Sequence, residues 1–350
     1  MNARAVIAAA ALIAAIGAVP AATAAPIAPP LPQRLSDTGL FAPGTTSVRA
    51  GHIAFSPQYP LWSDGTGKRR WISLPPGASI DASRPDAWEF PIGTRLWKEF
   101  TYDAAVETRY LERLADGSWR FATYVWNEHG TDAELAPPRG TVLAVAAAPG
   151  GRYAVPSRSD CLACHDNAGA PVLGFSALQL SPDRDPLAPH ADATTAQFAD
   201  LRSLAARGLI RNLPPALLDR PPRIAAATPT ARAALGYLHG NCGHCHNDSG
   251  ALASLELALL QRAAAPVESA ERTLKSLLGQ TSRFRPHDGS QSRRLVAGSG
   301  DDSVLAVRMK TANPMARMPP LGVKVVDSAG LALIDRWIRT DVPTTQEKQP

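Results

Sequence analysis

The sequence predicts an α+β protein of several domains. Short alternating segments separated by turn residues run to about residue 155, whereas helical periodicity with capping residues follows that point. Two copies of the pattern C-x-x-C-H lie in the helical part. We therefore expect an antiparallel β sandwich or partial barrel at 26–155, a small helical region at 156–223 and an all-α domain at 224–342.

The first 25 residues have the composition of a secretory signal peptide. Arg4 supplies a positive charge, residues 5–19 form an apolar, alanine-rich run, and Ala22-Thr23-Ala24 offers the small residues that a cleavage site needs. The run is too short to span a membrane, and no later stretch is long and apolar enough to do so. The sequence therefore predicts a periplasmic or secreted protein without an integral membrane segment after cleavage.

A hairpin is the clearest structural prediction for the N-terminal part. Residues 106–114 and 119–126 alternate between two faces, and Asp116-Gly117 between them is typical of a tight turn. Six of the seven tryptophans also lie in this part, and they either pack a core or form an aromatic wall beside a ligand. Further strands are expected at 69–74 and, as a pair, within 88–102. Weaker strands are expected at 141–146 and 152–155.

Helix starts are indicated by capping residues or by proline in a first turn. They are expected at Ser157 or Asp160, at Thr194, at Thr228-Pro229 and at Asp327. The helix from Thr194 should end near Gly208, and the one from Thr228 should run into the second C-x-x-C-H copy. Beyond the last helix, residues 343–350 are expected to be a disordered tail.

The two C-x-x-C-H copies are Cys161-Leu162-Ala163-Cys164-His165 and Cys242-Gly243-His244-Cys245-His246, and they use all four cysteines of the chain. This pattern is the attachment signature of a c-type haem. Positions i, i+3 and i+4 share one face of a helical turn, so two thiols can bond to one porphyrin while the imidazole ligates its iron. We expect two covalent haem c groups, one in each helical region, held by Cys161, Cys164, Cys242 and Cys245, with His165 and His246 as axial ligands.

Three other interpretations of the cysteines stay open. Each C-x-x-C could be a redox disulfide of thioredoxin type, the four cysteines could hold one zinc ion, or they could form the structural disulfides of an exported protein. None of these needs a histidine directly after each pair. The 77 residues between Cys164 and Cys242 are also more than a zinc ribbon requires.

The formal net charge of +5 does not indicate a nucleic-acid partner. The positive charge is spread along the chain rather than concentrated in one segment. About four propionates on two haem groups would also offset most of it. Because two haem groups are expected in an exported protein, the expected partners are periplasmic redox proteins that donate or accept electrons.

The final third resembles a class I cytochrome c in its order of helix, C-x-x-C-H, long loop, Met-Pro and final helix. The resemblance implies that Met318, in Met318-Pro319-Pro320, is the sixth ligand of the second iron. Met309 and Met315 are competing candidates. The separation of His246 from Met318 is long for that class, which implies an insertion at about 252–300.

A wider resemblance, over roughly residues 55–340, is to a bacterial family of exported dihaem c-type cytochromes of unassigned function. It implies the cofactors and the two-part organisation, but no reaction. Residues 247–250 depart from the family's usual stretch after the second motif. The resemblance rests on Tyr59-Pro60-Leu61-Trp62-Ser63-Asp64-Gly65, Phe90-Pro91-Ile92-Gly93-Thr94, Tyr124-Val125-Trp126-Asn127 and Met318-Pro319-Pro320-Leu321-Gly322.

The sixth ligand of the first iron is left open by the sequence. No methionine lies between Met1 and Met309. A methionine from the C-terminal part or an open iron are alternatives to a histidine, and bis-histidine ligation would give the lower potential. The histidine candidates are His190, His129 and His52, with His239 and His244 beside the second motif.

Three functions follow from these alternatives, and no catalytic residue is assigned. The favoured one is electron transfer between a periplasmic dehydrogenase and a downstream acceptor. The second is a peroxidase-like haem oxidoreductase with an open first iron, which needs a distal acid or base. The third is a haem-based sensor or binding module.

Overall fold

The structure is a computed structural model that describes residues 29–166, 170–193, 195, 197–285 and 292–343. The predicted signal peptide and residues 344–350 of the predicted tail lie outside these ranges. Both therefore stay predictions. The same holds for the part of the predicted insertion at 286–291.

Within the described ranges the chain forms ten strands and seven α-helices. The strands are β1 Ile53–Ala54, β2 Gly67–Ser73, β3 Ile80–Asp81, β4 Arg95–Thr101, β5 Ala105–Arg113, β6 Trp119–Trp126, β7 Ala133–Leu135, β8 Thr141–Ala144, β9 Arg152–Val155 and β10 Ile210–Arg211. The helices are α1 Arg158–His165, α2 Leu201–Ala206, α3 Ala216–Asp219, α4 Pro229–Asn241, α5 Pro266–Leu277, α6 Val304–Lys310 and α7 Ser328–Thr340.

Six strands form one antiparallel sheet in the order β1-β2-β4-β5-β6-β7. The predicted hairpin is confirmed as β5 and β6, with Glu112 opposite Arg120 and Glu107 opposite Val125. Its turn is closed by hydrogen bonds of 2.9 Å from the Leu114 amide to Ser118 and from the Gly117 amide to Leu114. A glycine suits this turn because the φ angle of Gly117 is +81°.

The two faces of this sheet contact different parts of the molecule, because successive side chains of a strand point to opposite sides. One face carries four aromatic side chains that pack with Leu35, Leu40 and Phe41: Trp71, Trp97, Tyr110 and Tyr124. The other face carries Phe121 beside α1 and a set of charged side chains. Most tryptophans of the N-terminal part are thus in or beside the hydrophobic core.

The predicted fold class, a β sandwich or partial barrel followed by a separate all-α cytochrome domain, is wrong. The strands form one six-stranded sheet, with β3–β10 and β8–β9 as separate two-stranded pairs. The C-terminal part is not all helical, because bridges such as Leu278–Leu295 and Thr281–Arg293 place extended segments between its helices. One hydrophobic cluster also joins the two parts, since it includes Ile72 of β2 and Trp337 of α7.

The packing of α4 shows why the C-terminal helices are not a separate unit. Gly236 and Gly240 lie one turn apart, and a Cβ atom at Gly236 would stand 2.0 Å from a ring carbon of Tyr59. The bare backbone lets this N-terminal aromatic residue contact the helix directly. Asn241 adds a polar link, because its Oδ1 accepts a 2.7 Å hydrogen bond from the Trp62 amide. Local periodicity predicts the helix but not this partner.

Three of the four predicted helix starts are confirmed by their caps. The Ser157 hydroxyl and the Asp160 carboxylate form a capping box at α1, and Thr228 and Asp327 accept hydrogen bonds at the starts of α4 and α7. The fourth expected start, Thr194, lies outside the described residues, and residues 197–200 are not helical. The capping box of Asp200 begins α2 at residue 201 instead.

A bilayer-spanning helix is not found in the described part of the chain.

Candidate cofactor cavities

The first C-x-x-C-H motif lies at the end of α1, and its residues line a large cavity over the charged face of the sheet. The space amounts to about 2010 Å³, including its open mouth. The His165 ring packs on Phe121 of β6 with ring centroids 4.9 Å apart. We call this space the first cavity; it is lined by, among others, Lys98, Arg109, Phe121, Cys161, Cys164 and His165.

His165 has the hydrogen bonding of a metal-ligating imidazole. Its Nδ1 lies 2.5 Å from the carbonyl oxygen of Pro171, so Nδ1–H donates and Nε2 keeps its lone pair. Burial lowers the pKa of His165 to about 4, which keeps the ring neutral at pH 7. The residue therefore fits the predicted role of a proximal ligand.

The second motif continues directly from α4. The amides of Cys245 and His246 donate to the Cys242 carbonyl at 3.1 and 2.9 Å, so the chain keeps a helical turn through the motif. This turn places the two thiols and the imidazole on one side. Gly243 is required for close packing here, since an added Cβ would lie 2.9 Å from the His239 carbonyl and 3.1 Å from Leu260.

A second cavity of about 1230 Å³, including its opening, borders this motif. Burial lowers the pKa of His246 to about 4, and its Nδ1 is buried with no hydrogen-bond partner among the described residues. His246 therefore lacks the backbone contact that orients the His165 ring, and its neutral ring and its place in the lining are what fit a ligand of a group held there. We call this space the second cavity; its lining includes Cys242, Cys245, His246, Leu277, Met309 and Met318.

The methionine candidates differ clearly in position. Met318 and Met309 both line the second cavity, and Met309 is 8% exposed in α6. Met315 is 89% exposed and is not among the lining residues. The structure therefore brings the preferred candidate and one competitor to the same space as His246.

The two cavities meet at the cysteine motifs, because Cys164 and His244 line both. The Sγ atoms of Cys164 and Cys245 and a ring nitrogen of His244 all lie within 4.8 Å of one another. A hydrogen bond between the two thiols raises the pKa of Cys164 to about 12 and lowers that of Cys245. Motifs that are distant in sequence are thus in direct contact.

The same contact tests the other interpretations of the cysteines. All four thiols are free rather than paired in disulfides. Cys161 and Cys242 are not part of the group formed by Cys164, His244 and Cys245, so a site with four cysteine ligands is not assembled. A zinc ion would find three ligands here, as in catalytic zinc sites. A zinc ion bound there would leave both large cavities, and the histidines His165 and His246, without a role.

The histidines expected as sixth ligands of the first iron have other positions. His190 Nε2 is 2.9 Å from both carboxylate oxygens of Asp327, and its ring lies on Trp62. His52 contacts the Gly39 carbonyl and stacks on Trp97, on the far face of the sheet. As defined by the described residues, the first cavity is lined by none of His190, His52 and His129.

Of the two remaining histidine candidates, His239 lies in α4 just before the second motif and His244 lies within it. His239 accepts a hydrogen bond at Nδ1 from the Gln261 amide at 3.1 Å. Burial lowers its pKa to about 4. His244 lies at the junction of both cavities.

Asp327 joins three elements, which makes it a test of the packing around the cavities. It caps α7 and accepts hydrogen bonds from Tyr237 and His190. We expect Asp327→Ala to lower the free energy of unfolding by about 2 kcal/mol at pH 7, as measured by urea denaturation. Asp335→Ala, on the solvent side of the same helix, is the control and should cost less than about 0.5 kcal/mol.

The pH dependence of this effect has a defined sign. Burial raises the pKa of Asp327, but the hydrogen bonds from His190, Gly330 and Tyr237 outweigh it and hold the pKa below the ordinary 3.8. The stabilisation is therefore present above that ordinary value and is lost as the pH falls through the folded-state pKa. A variant as stable as wild type at pH 7 would contradict this assignment.

Charged residues on the cavity face of the sheet were missed by sequence reasoning. Arg70, Lys98 and Arg109 belong to predicted strands, but their faces were not assigned. The signal available in the sequence was one cation in each of three predicted strands. Alternation alone shows which residues share a face, and not which face is buried.

Comparisons with models of protein families, with curated proteins and with solved structures each find no match. The function is therefore argued from the two cavities and their linings.

Proposed function

We propose that the protein is an exported c-type cytochrome that holds two haem groups and relays electrons between redox proteins. The observation that carries the proposal is the contact between the two C-x-x-C-H motifs at the junction of two large cavities. Each motif supplies one cavity with two thiols and a histidine. The chemistry of this donor set is that of covalent haem attachment.

The residues divide between two cofactors. Cys161, Cys164 and His165 would hold one haem in the first cavity. In the second cavity, Cys242, Cys245 and His246 would hold the other, with Met318 as the second axial ligand. When bound, each haem supplies a one-electron redox centre. The chain contributes the thioether positions, neutral imidazoles and walls that exclude water.

A relay is favoured over catalysis by two features. His246 and Met318 both line the second cavity, and two protein ligands to an iron held there would leave no position for a substrate. Cys164 and Cys245 are so close that the attached ring edges would be neighbours. A short separation favours electron exchange between the two centres. The proposed partners are a periplasmic dehydrogenase as donor and a downstream acceptor.

A second candidate function is ligand binding at an open first iron. It is favoured by the positions of His190, His52 and His129, which do not line the first cavity, so that His244 is the candidate histidine left in its described lining. The outcome would be a haem oxidoreductase or a haem-based sensor rather than a simple relay.

The proposal is tested on protein matured in a host that attaches c-type haem. We expect two haem groups per chain by the pyridine haemochrome assay, and a mass that matches two thioether-linked haems. Cys161→Ala and Cys242→Ala should each remove one group, and a matched Ser159→Ala change beside the first motif should remove none. A colourless chain with one bound zinc ion would overturn the proposal.

The spectrum of the oxidised protein separates the two candidate functions. A relay should be low-spin at both irons and unchanged by cyanide. A high-spin band that cyanide abolishes rapidly, with carbon monoxide binding after reduction, would establish an open iron and favour the second candidate.

A further inference from the structure

Three cations lie side by side on the face of the sheet that borders the first cavity. Arg70 of β2 is directly opposite Lys98 of β4, and Lys98 is directly opposite Arg109 of β5. Side chains at such positions have Cβ atoms about 4.5–5.5 Å apart. All three residues line the first cavity. We call them the cationic row.

The two outer members of the cationic row have acidic partners. An Nη atom of Arg70 is 3.2 Å from Asp192, and Nε of Arg109 is 2.6 Å from Glu107. The amino group of Lys98, in the middle, forms no hydrogen bond or ion pair with any residue in the described ranges. Its amino group lies 4.8 Å from the centre of the Phe100 ring. Within the cationic row, Lys98 is therefore the member without a matching carboxylate.

This arrangement is unfavourable in the protein alone. Burial lowers the pKa of Lys98 well below its usual range, and the nearby charges of Arg70, Arg109 and Lys68 lower it further. Like charges directly opposite each other destabilise a sheet. Lys98 is half-buried at the wall of the cavity, and a cation with limited access to water is normally retained with a counter-ion, because an unpaired charge away from water carries a desolvation penalty.

We infer that the cationic row is a carboxylate-binding site in the first cavity, with Lys98 as its central contact. The guanidinium groups offer planar donor pairs that match carboxylate oxygens, and one unmatched positive charge suits one carboxylate. Two sources have this chemistry. One is the propionates of the first haem, in which case the inference rests on the proposed function; the other is a small carboxylate from solution.

The sign of a stability change tests the inference. Lys98→Met keeps the length of the side chain and removes its charge. If a carboxylate is bound, the thermal midpoint of the purified holoprotein should fall by several degrees. If nothing is bound, removing the repulsion should raise it. Lys98→Arg should stay near wild type, and Lys310→Met, an exposed lysine paired with Asp301, is the charge-matched control.

A second measurement on the same samples distinguishes the two possible sources of the carboxylate. Acetate and chloride are compared at equal ionic strength. A wild-type midpoint that rises in acetate, with the rise lost in Lys98→Met, identifies a solution anion. No acetate response, together with a lowered potential of one haem in Lys98→Met, identifies the propionates, because removing a nearby cation favours the oxidised form.

The haem content of each sample is measured as well, so that a failure of the proposed function can be told apart from a failure of this inference. A colourless protein would overturn the proposed function, and its acetate response would still decide whether the row binds a carboxylate. The inference itself is overturned if Lys98→Met raises the midpoint or leaves it unchanged. If the Lys98→Met chain does not fold, the same measurements are made on Lys98→Gln, and the inference is overturned if Lys98→Gln raises the midpoint or leaves it unchanged.

Discussion

His246→Ala is expected to remove one haem per chain and to unfold the region around the second cavity. The wall of this cavity is largely apolar and includes Leu277 and Phe284. A haem held in this cavity would supply the buried contacts that these side chains otherwise lack. We expect the free energy of unfolding to fall by more than about 4 kcal/mol.

A haem-stained gel and urea denaturation measure the two effects together. Cys242→Ala should act in the same direction, because it removes one of the two covalent links. His129→Ala, in the exposed turn after β6, should change neither quantity. A His246→Ala protein that is stable, folded and free of the second haem would show that the cofactor is not part of this core.

Met318→Ala is expected to abolish the weak sulfur-to-iron absorption band of the oxidised protein and to lower one of two potentials. Methionine ligation raises a haem potential relative to other axial ligands. Axial ligands span a range of about 0.8 V, so the loss of one should be large against the scatter of a redox titration. The other haem should keep its potential.

Two further methionines provide matched controls for this change. Met315→Ala should leave both potentials unchanged, because Met315 is 89% exposed. Met309 lines the same cavity as Met318, so Met309→Ala tests the competing assignment directly. If the absorption band survives Met318→Ala and disappears in Met309→Ala, the ligand is Met309.

Features specified by neighbouring residues were predictable from the sequence. The β5–β6 turn depends on Asp116-Gly117, and the starts of α4 and α7 depend on Thr228 and Asp327. In each case the hydrogen bonds join residues at most four positions apart. Such contacts need no knowledge of the remaining chain.

Features that join distant segments were not predictable in this way. A separate all-α domain was expected because the helices are amphipathic, but Tyr59 packs on α4 where glycines leave the backbone bare. His190 was one candidate ligand of the first iron, and it pairs with Asp327 across 137 residues. Both outcomes depend on which surfaces meet, and hydrophobic periodicity carries no information about that choice.

The sequence by itself determined the chemistry of the two motifs. The spacing of thiol, thiol and imidazole on one helical turn follows from backbone geometry, whatever the rest of the fold. Only the tertiary structure decided that Cys164 and Cys245 are in contact and that Arg70, Lys98 and Arg109 form a row. Strand register and the packing of α1 against β6 set those positions, because they are fixed by burial of surfaces that are far apart along the chain.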